Sequence, residues 1–359
     1  MNVHRECQNI GTYPAEAGAL VLLYHRVADA ERDPQLLCVS PKHFREHLEI
    51  LRRRCRPCAL SHCVDHVLEG EVPAGGVAIT FDDGYADNLT VAAPLLREQG
   101  VPATVFVATR DEGRDREFWW DDLERIILRT RSLPRRLEMA ASGVRHEWNL
   151  TDGSREAPCA PEWNVQMGDP PTERQALYLH LCRLLRVLGD CERREILDAL
   201  CAWAGVSRQG RSSHRVMMPD EWRELADDAL IEIGAHTVSH PVLSELPVAD
   251  QFAEIMGSRQ RLEQELGRPV RGFAYPYGCR GDFGPATAAM VKNAGLAYAC
   301  ANTGRPPHSG GRVTKDSDPY RLPRVLVRDW DGDTFERHLR EAWKLADVQE
   351  RPRHVGAGA

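Results

Sequence analysis

The sequence predicts an α/β fold: a closed or nearly closed barrel of parallel strands with helices outside, broken by one inserted, mainly helical subdomain. Three observations carry this prediction. Short apolar runs alternate with amphipathic helical stretches, and counting them along the chain gives seven core strands. Two of the runs end abruptly in chemically active side chains, Asp82-Asp83 after one and His236 with His240 after another. Delivering such groups from strand C-termini is how α/β enzymes build sites. The strand–helix rhythm then stops between Arg110 and Val216 and resumes afterwards, which marks an insertion.

Ala19-Leu20-Val21-Leu22-Leu23-Tyr24-His25 reads as the first buried strand. A helix follows, since Ser40 suits an N-cap, Pro41 the first helical position, and Phe44, Leu48 and Leu51 recur on one face. The next strand, Val77–Phe81, stops at Asp82-Asp83-Gly84. Asn88–Gln99 reads as a helix ended by Gly100, with the strand Ala103–Val107 after it. Ile231–Ala235 resumes the barrel, followed by a helix Ala249–Leu266 that stops at Gly267. Val270–Tyr275, Leu296–Ala301 and Arg321–Val327 are further strands, with a helix Pro285–Asn293 between the first two. The barrel thus occupies 19–109 and 217–346. Within 110–216 fall a helix Asp121–Arg129, a hairpin Arg136–Leu150 turning at Ser142-Gly143, and helices Thr172–Leu188 and Glu192–Ala204. This insertion suits either a lid over the barrel mouth or an oligomerisation surface. Residues 1–18 and 347–359 read as mobile tails.

A chain of 359 residues lies within the range of α/β barrels with insertions. A formal charge of −7 argues against nucleic acid or an anionic membrane surface as partner. No stretch reaches the roughly 18 apolar residues of a membrane-spanning helix. Met1–Gly18, with Glu6, Gly11, Pro14 and Glu16, lacks the apolar core of a secretory signal. The expectation is a cytoplasmic protein without a transmembrane segment. Eleven cysteines, an odd number, fit no disulfide framework in a reducing compartment. Cys55-Arg56-Pro57-Cys58 with Cys63 has metal or redox flavour, but no second pair completes a tetrahedral site, so these read as small packed hydrophobes.

Asp82 and Asp83 are like charges in contact, which repel. A cation between or beside them removes the difficulty, and Gly84 supplies a positive-φ turn that lets both face the mouth. His236 and His240 are four apart, so one helical turn would set both imidazoles on the same side. One carboxylate and two imidazoles suffice to hold a catalytic divalent metal with positions left open. The second carboxylate is then free to act as a base. That is the skeleton of a metal-assisted hydrolase.

Thr80-Phe81-Asp82-Asp83-Gly84, His236-Thr237-Val238-Ser239-His240 and Phe273-Ala274-Tyr275-Pro276-Tyr277-Gly278 resemble, in order, three motifs of the polysaccharide deacetylase family, carbohydrate esterase family four. The resemblance covers Leu20–Ala108 and Pro219–Val327. It implies a distorted (β/α)7 barrel, one divalent metal ion of the zinc type, and hydrolysis of an N-acetyl group on a sugar. Carried onto this chain, it implies that Asp83, His236 and His240 hold the metal. Asp82 is then the base for the attacking water, and the backbone N–H of Tyr277, aimed by Pro276 and Gly278, receives the oxyanion.

Family members usually carry an arginine just before the Pro-Pro-Tyr-Gly turn to orient the base. Ala274 stands there in this chain, and Arg271 alternates differently along its strand. The usual C-terminal leucine–histidine motif, source of the general acid, is not evident, and His338 reads as part of a surface helix. His25, in Tyr24-His25-Arg26-Val27, is the substitute acid, beside the Asp82 strand if sequential strands neighbour. This arrangement resembles the branch containing poly-N-acetylglucosamine deacetylases. His308 and Arg324 are the next candidates. Trp119 and Trp120 suit either sugar stacking or core anchoring, and Arg324 suits either a substrate contact or a surface salt bridge. With Pro276 they form the candidate substrate-binding set. The expected partner is an N-acetylated sugar. The alternatives are an O-acetyl esterase or deformylase on a sugar, and a non-catalytic carbohydrate-binding protein; a binder has no need of Asp82 beside a complete ligand set.

Overall fold

The structure, a computed structural model, describes residues 18–72, 74–110, 116–156, 161–302 and 312–349. Its centre is a set of parallel strands: β1 (Ala19–Tyr24), β2 (Gly76–Phe81), β3 (Ala103–Val107), β4 (Ile231–Ala235), β5 (Gly272–Ala274), β6 (Tyr298–Ala301), β7 (Leu322–Pro323) and β8 (Val325–Leu326). Their spatial order is β7-β6-β5-β4-β3-β2-β1-β8. β7 pairs with β6 and β8 with β1, yet only Arg324 separates β7 from β8. One short segment therefore bridges both ends of the sheet and curls it into a nearly closed barrel of eight parallel strands. Counted by segments these are the seven predicted staves, the last one broken at Arg324.

Successive strand residues face opposite sides, and here both sides are buried, as parallel sheets require. Leu20, Leu22 and Tyr24 of β1 pack outward with the helices, while Ala19 and Val21 join Ala78, Phe106, Ala274 and Leu322 in a separate cluster inside the barrel. The outer layer includes the helix Pro41–Arg54, whose first turn is capped by Ser40 Oγ accepting from the His43 N–H at 3.3 Å. Its Phe44, Leu48 and Leu51 are fully buried. At roughly 1.5–3 kcal/mol each, that one face outweighs the absence of an acidic residue in the first turn.

The barrel is plugged at one end. Leu60, Cys63, Val64 and Val67 of the helix Leu60–Glu69 belong to the interior cluster. The Ser61 hydroxyl donates to Glu232, which also accepts from Thr104 Oγ1 at 3.3 Å. Glu232 and Thr104 stand near the starts of β4 and β3, so the plug closes the N-terminal end and leaves the C-terminal end for chemistry.

Residues 116–156 and 161–216 gather around another cluster, which includes Trp120, Leu123, Ile127, Tyr178, Leu181 and Leu200. Strands Arg136–Ala141 and Val144–Asn149 form an antiparallel hairpin through Ser142 and Gly143, at φ 49° and 74°. Two left-handed residues match the twist of such a hairpin. Helices Glu173–Arg186 and Asp190–Ala204 complete this unit. Of the tails predicted mobile, only Gly18 and 347–349, the end of the helix Gly332–Gln349, fall among the described residues. No helix among the described residues is long and apolar enough to cross a membrane.

Candidate active site

Strand parity brings the site together. On β2, Val77, Ile79 and Phe81 face outward, so Ala78, Thr80 and then Asp82 face the barrel interior. Asp83 would point outward if the strand continued. It instead adopts φ 74°, followed by Gly84 at φ 80°, and swings its carboxylate back over the mouth. The sequence assigned that reversal to Gly84 alone; Asp83 shares it. A Cβ on Gly84 would also crowd Val107 at 3.1 Å.

On β4, Ile231, Ile233 and Ala235 face outward and His236 continues the interior face. The route from His236 to His240 is not the predicted helical turn. Thr237 and His240 both take positive φ, 65° and 54°. The Thr237 hydroxyl accepts from the His240 N–H at 3.1 Å, and Glu254 accepts from the Val238 N–H, the Ser239 N–H and the Ser239 hydroxyl at 2.8, 2.8 and 2.7 Å. A helical turn would carry the second ring along one side of an axis, whereas this pinned loop folds it back. Six non-glycine residues among those described have positive φ, and four of them, Asp83, Thr237, His240 and Tyr277, stand at this site. Such conformations cost of order 1–3 kcal/mol each and persist where surroundings over-determine them.

The result is a group of three buried side chains able to hold a metal ion, Asp83, His236 and His240. Asp83 Oδ1 lies 3.5 Å from His236 Nε2 and 3.3 Å from His240 Nε2. Donors at about 2.1 Å from a common tetrahedral cation would stand roughly 3.4 Å apart, so the set fits a divalent metal such as zinc. The other ring nitrogen of His236 lies 2.7 Å from the Ala274 carbonyl, which fixes the ring so that Nε2 faces the site. His240 Nδ1 has no hydrogen-bond partner. Its ring is instead gripped edge-to-face by Tyr277 at 4.8 Å, Trp120 at 5.1 Å and Phe118 at 5.8 Å.

Asp82 is treated differently. Arg324 donates from its two terminal nitrogens to both carboxylate oxygens, at 2.7 and 2.6 Å, and also to Thr80 Oγ1 at 3.3 Å. Asp82 Oδ2 is 3.9 Å from His236 Nε2. Burial pushes the Asp82 carboxyl up, but Arg324 and His236 outweigh it and hold it below the usual carboxylate range. Burial likewise opposes ionisation of Asp83, and the two imidazoles overturn it, keeping that carboxyl well below its ordinary value. Burial lowers both histidines; the carboxylates reverse this for His236, which ends raised, but not for His240, which ends lowered.

Tyr277 and Gly278 turn at φ 60° and 64°. The turn is held by Asn302, whose side-chain amide donates to the Tyr277 carbonyl and whose N–H donates to the Gly278 carbonyl, both at 2.7 Å. A Cβ on Gly278 would meet that same Asn302 nitrogen at 3.0 Å. The Tyr277 N–H has no partner among the described residues. His25, just past β1, is only partly buried, and its imidazole makes no hydrogen bond among the described residues. Burial lowers its pKa, and the nearby Asp83 and Asp82 only partly offset this.

The residues read as substrate contacts are spent inside the protein. Pro276 is buried within the turn, its carbonyl accepting from the Gly278 N–H at 2.6 Å. Trp119 and Trp120 are 9% and 6% exposed and donate to the Tyr277 and Tyr85 hydroxyls at 3.3 and 2.8 Å. These rings pack beside the Asp83–His236–His240 group, Trp120 edge-to-face on His240 at 5.1 Å. Arg324 is 1% exposed, so it is not a surface salt bridge; its two terminal nitrogens are spent on Asp82, and a guanidinium in this acidic setting does not give up a proton as a general acid must. Arg271 pairs with Asp65 at the surface, and His308 lies outside the described residues. Sequence reasoning missed Glu254, Asn302 and the orienting role of Arg324. Only the last left a signal: Leu322 inward and Val325 and Val327 outward put Arg324 on the interior face.

Residues 69–132 and 203–299 match the family model described as polysaccharide deacetylase. No curated protein matches the chain in sequence. Among solved structures, IcaB from Ammonifex degensii is 19% identical, with 92% of this chain and 98% of that chain covered and a TM-score of 0.53. The Streptococcus pyogenes deacetylase PplD, in complex with acetate, is 15% identical, with 89% and 97% covered and a TM-score of 0.54. A de-N-acetylase from Aggregatibacter actinomycetemcomitans is 15% identical, with 89% and 99% covered and a TM-score of 0.52. At such identities the likeness is one of fold.

Proposed function

For a chain that carries a polysaccharide deacetylase domain, we propose the activity of a metal-dependent hydrolase that removes N-acetyl groups from an amino-sugar-containing substrate. The observation behind this reading is the division of labour between adjacent aspartates. Asp82 is neutralised by Arg324, whereas Asp83 faces only His236 and His240. Bound at Asp83, His236 and His240, a divalent cation such as zinc lowers the pKa of water to about 7 and polarises a carbonyl.

The protein's own groups supply the rest. Asp82, ionised at neutral pH and denied to the ligand set because Arg324 occupies both its oxygens, takes the proton of the attacking water. The unpartnered Tyr277 N–H donates to the acetamide oxygen as negative charge develops there. His25, accessible at the mouth and within the field of both carboxylates, gives its proton to the departing nitrogen. PplD, which shares the fold, was captured with acetate, the product expected here.

The test is acetate release from N-acetylated amino-sugar oligomers, nucleotide-linked N-acetyl sugars and O-acetylated sugars, with new amine counted alongside. The proposal expects acetate and primary amine in equal amounts. Acetate without amine would reassign the site to ester hydrolysis, and sugar binding with no acetate from any substrate would reduce it to a binding module.

A further inference from the structure

The cysteine cluster between Cys55 and Cys63 is not absorbed by the proposed chemistry. Cys55 belongs elsewhere: it packs against the outer core. Cys58 and Cys63 face each other, with their Sγ atoms 2.8 Å apart. That is well inside the roughly 3.5–4.0 Å of ordinary non-bonded contact. Both backbones are fixed. Cys58 follows the short strand Arg56–Pro57, which pairs with the start of β2, and its N–H donates to the Val77 carbonyl at 3.0 Å. Cys63 lies in the plug helix, fully buried in the barrel interior. Cys58 is partly exposed.

We infer that Cys58 and Cys63 form a reversible disulfide that fastens the plug helix to the rim of β2. Cys58 is the entry point. It is the accessible member, and a Cys63 S–H donated to its sulfur favours the thiolate there. The Cys58 thiolate attacks a low-molecular-weight disulfide, forming a mixed disulfide and expelling one small thiolate. Cys63, its proton passed to solvent, then attacks the Cys58 sulfur and expels the second. Two protein thiols and one small disulfide become one protein disulfide and two small thiols, so two electrons and two protons pass to the oxidant. The bond sits at the plugged end, away from Asp82 and Asp83, and leaves the ligand set intact.

The experiment equilibrates the full chain with graded mixtures of reduced and oxidised glutathione, followed by acid quenching, unfolding, alkylation and tryptic mapping. Pro57 protects the Arg56 bond from trypsin and no Lys or Arg lies between Cys58 and Arg97, so Cys55, Cys58 and Cys63 share one peptide, whose fragmentation assigns the state of each sulfur. In the wild type Cys58 and Cys63 should lose alkylation together, with the loss of two hydrogens in mass, while Cys55 stays alkylated, and excess reduced glutathione should restore both. Cys63→Ser should trap Cys58 as its glutathione adduct. Full alkylation of both residues in the most oxidising buffer, or a bond from Cys58 to Cys55, would overturn the inference.

Discussion

Replacing Arg324 by methionine keeps an unbranched stem and removes the guanidinium with its charge. Two charge-assisted hydrogen bonds, at 2.7 and 2.6 Å, are lost, and Asp82, 2% exposed, keeps only the titratable imidazoles of His236 and His25 to offset its burial. Breaking a buried pair from one side costs about 3–5 kcal/mol. That agrees with two charged hydrogen bonds at about 1.5–3 kcal/mol each. The sign with pH follows from the depressed Asp82 pKa. Its contribution to stability is present above the unfolded carboxyl value and is lost as pH falls through the folded one. In Arg324→Met, burial dominates and the carboxyl becomes protonated at higher pH. The stability gap to wild type should therefore narrow on acidification, and the acidic limb of kcat/KM should move to higher pH. Urea unfolding at neutral and acidic pH measures the first and a pH–rate profile the second. The double variant Arg324→Met/Asp82→Asn should recover stability relative to Arg324→Met, because no charge is left stranded. A single variant within about 0.5 kcal/mol of wild type, with an unmoved acidic limb, would refute the reasoning.

Asp83→Ala, His236→Ala and His240→Ala should each lose both bound metal and turnover, read by metal analysis beside acetate release. Asp82→Asn should keep the metal while turnover falls about 10²–10⁴-fold, since proton transfer is removed and ligation is not. His25→Ala should slow acetamide hydrolysis severely and spare much of the turnover of an aryl acetate, whose leaving group needs no proton; equal losses on both would assign His25 a structural role. Because burial lowers the His25 pKa, wild-type amide hydrolysis should decline with rising pH from below the ordinary imidazole value. Glu254→Ala should weaken metal binding about 10–100-fold by releasing the Val238–Ser239 loop, measured by competition with a chelating dye.

The barrel was legible because its signals are local: apolar runs, a serine–proline helix start at Ser40-Pro41 and glycines at helix ends each declare themselves within a few residues. Asp82, Asp83, His236 and His240 were legible for the same reason, since each directly follows a strand. What stayed hidden depends on distant pairing. Arg324 lies 242 positions from Asp82, and nothing beside it in the chain marks its partner. The His236–His240 spacing suggested a helix because periodicity does not report positive φ at Thr237 and His240, which Glu254 enforces from another element. Trp119 and Trp120 looked equally suited to a sugar or a core, and only the insertion's packing against His240 decides between them.

The most direct test strips the purified protein of metal with a chelator and returns zinc in sub-stoichiometric steps, with bound metal and acetate release from an N-acetylated amino-sugar oligomer measured on the same samples. The account predicts that turnover rises in proportion to bound metal and levels off at about one ion per chain, and that Asp83→Ala shows neither. Acetate release that survives chelation, or that persists in Asp83→Ala, would contradict it.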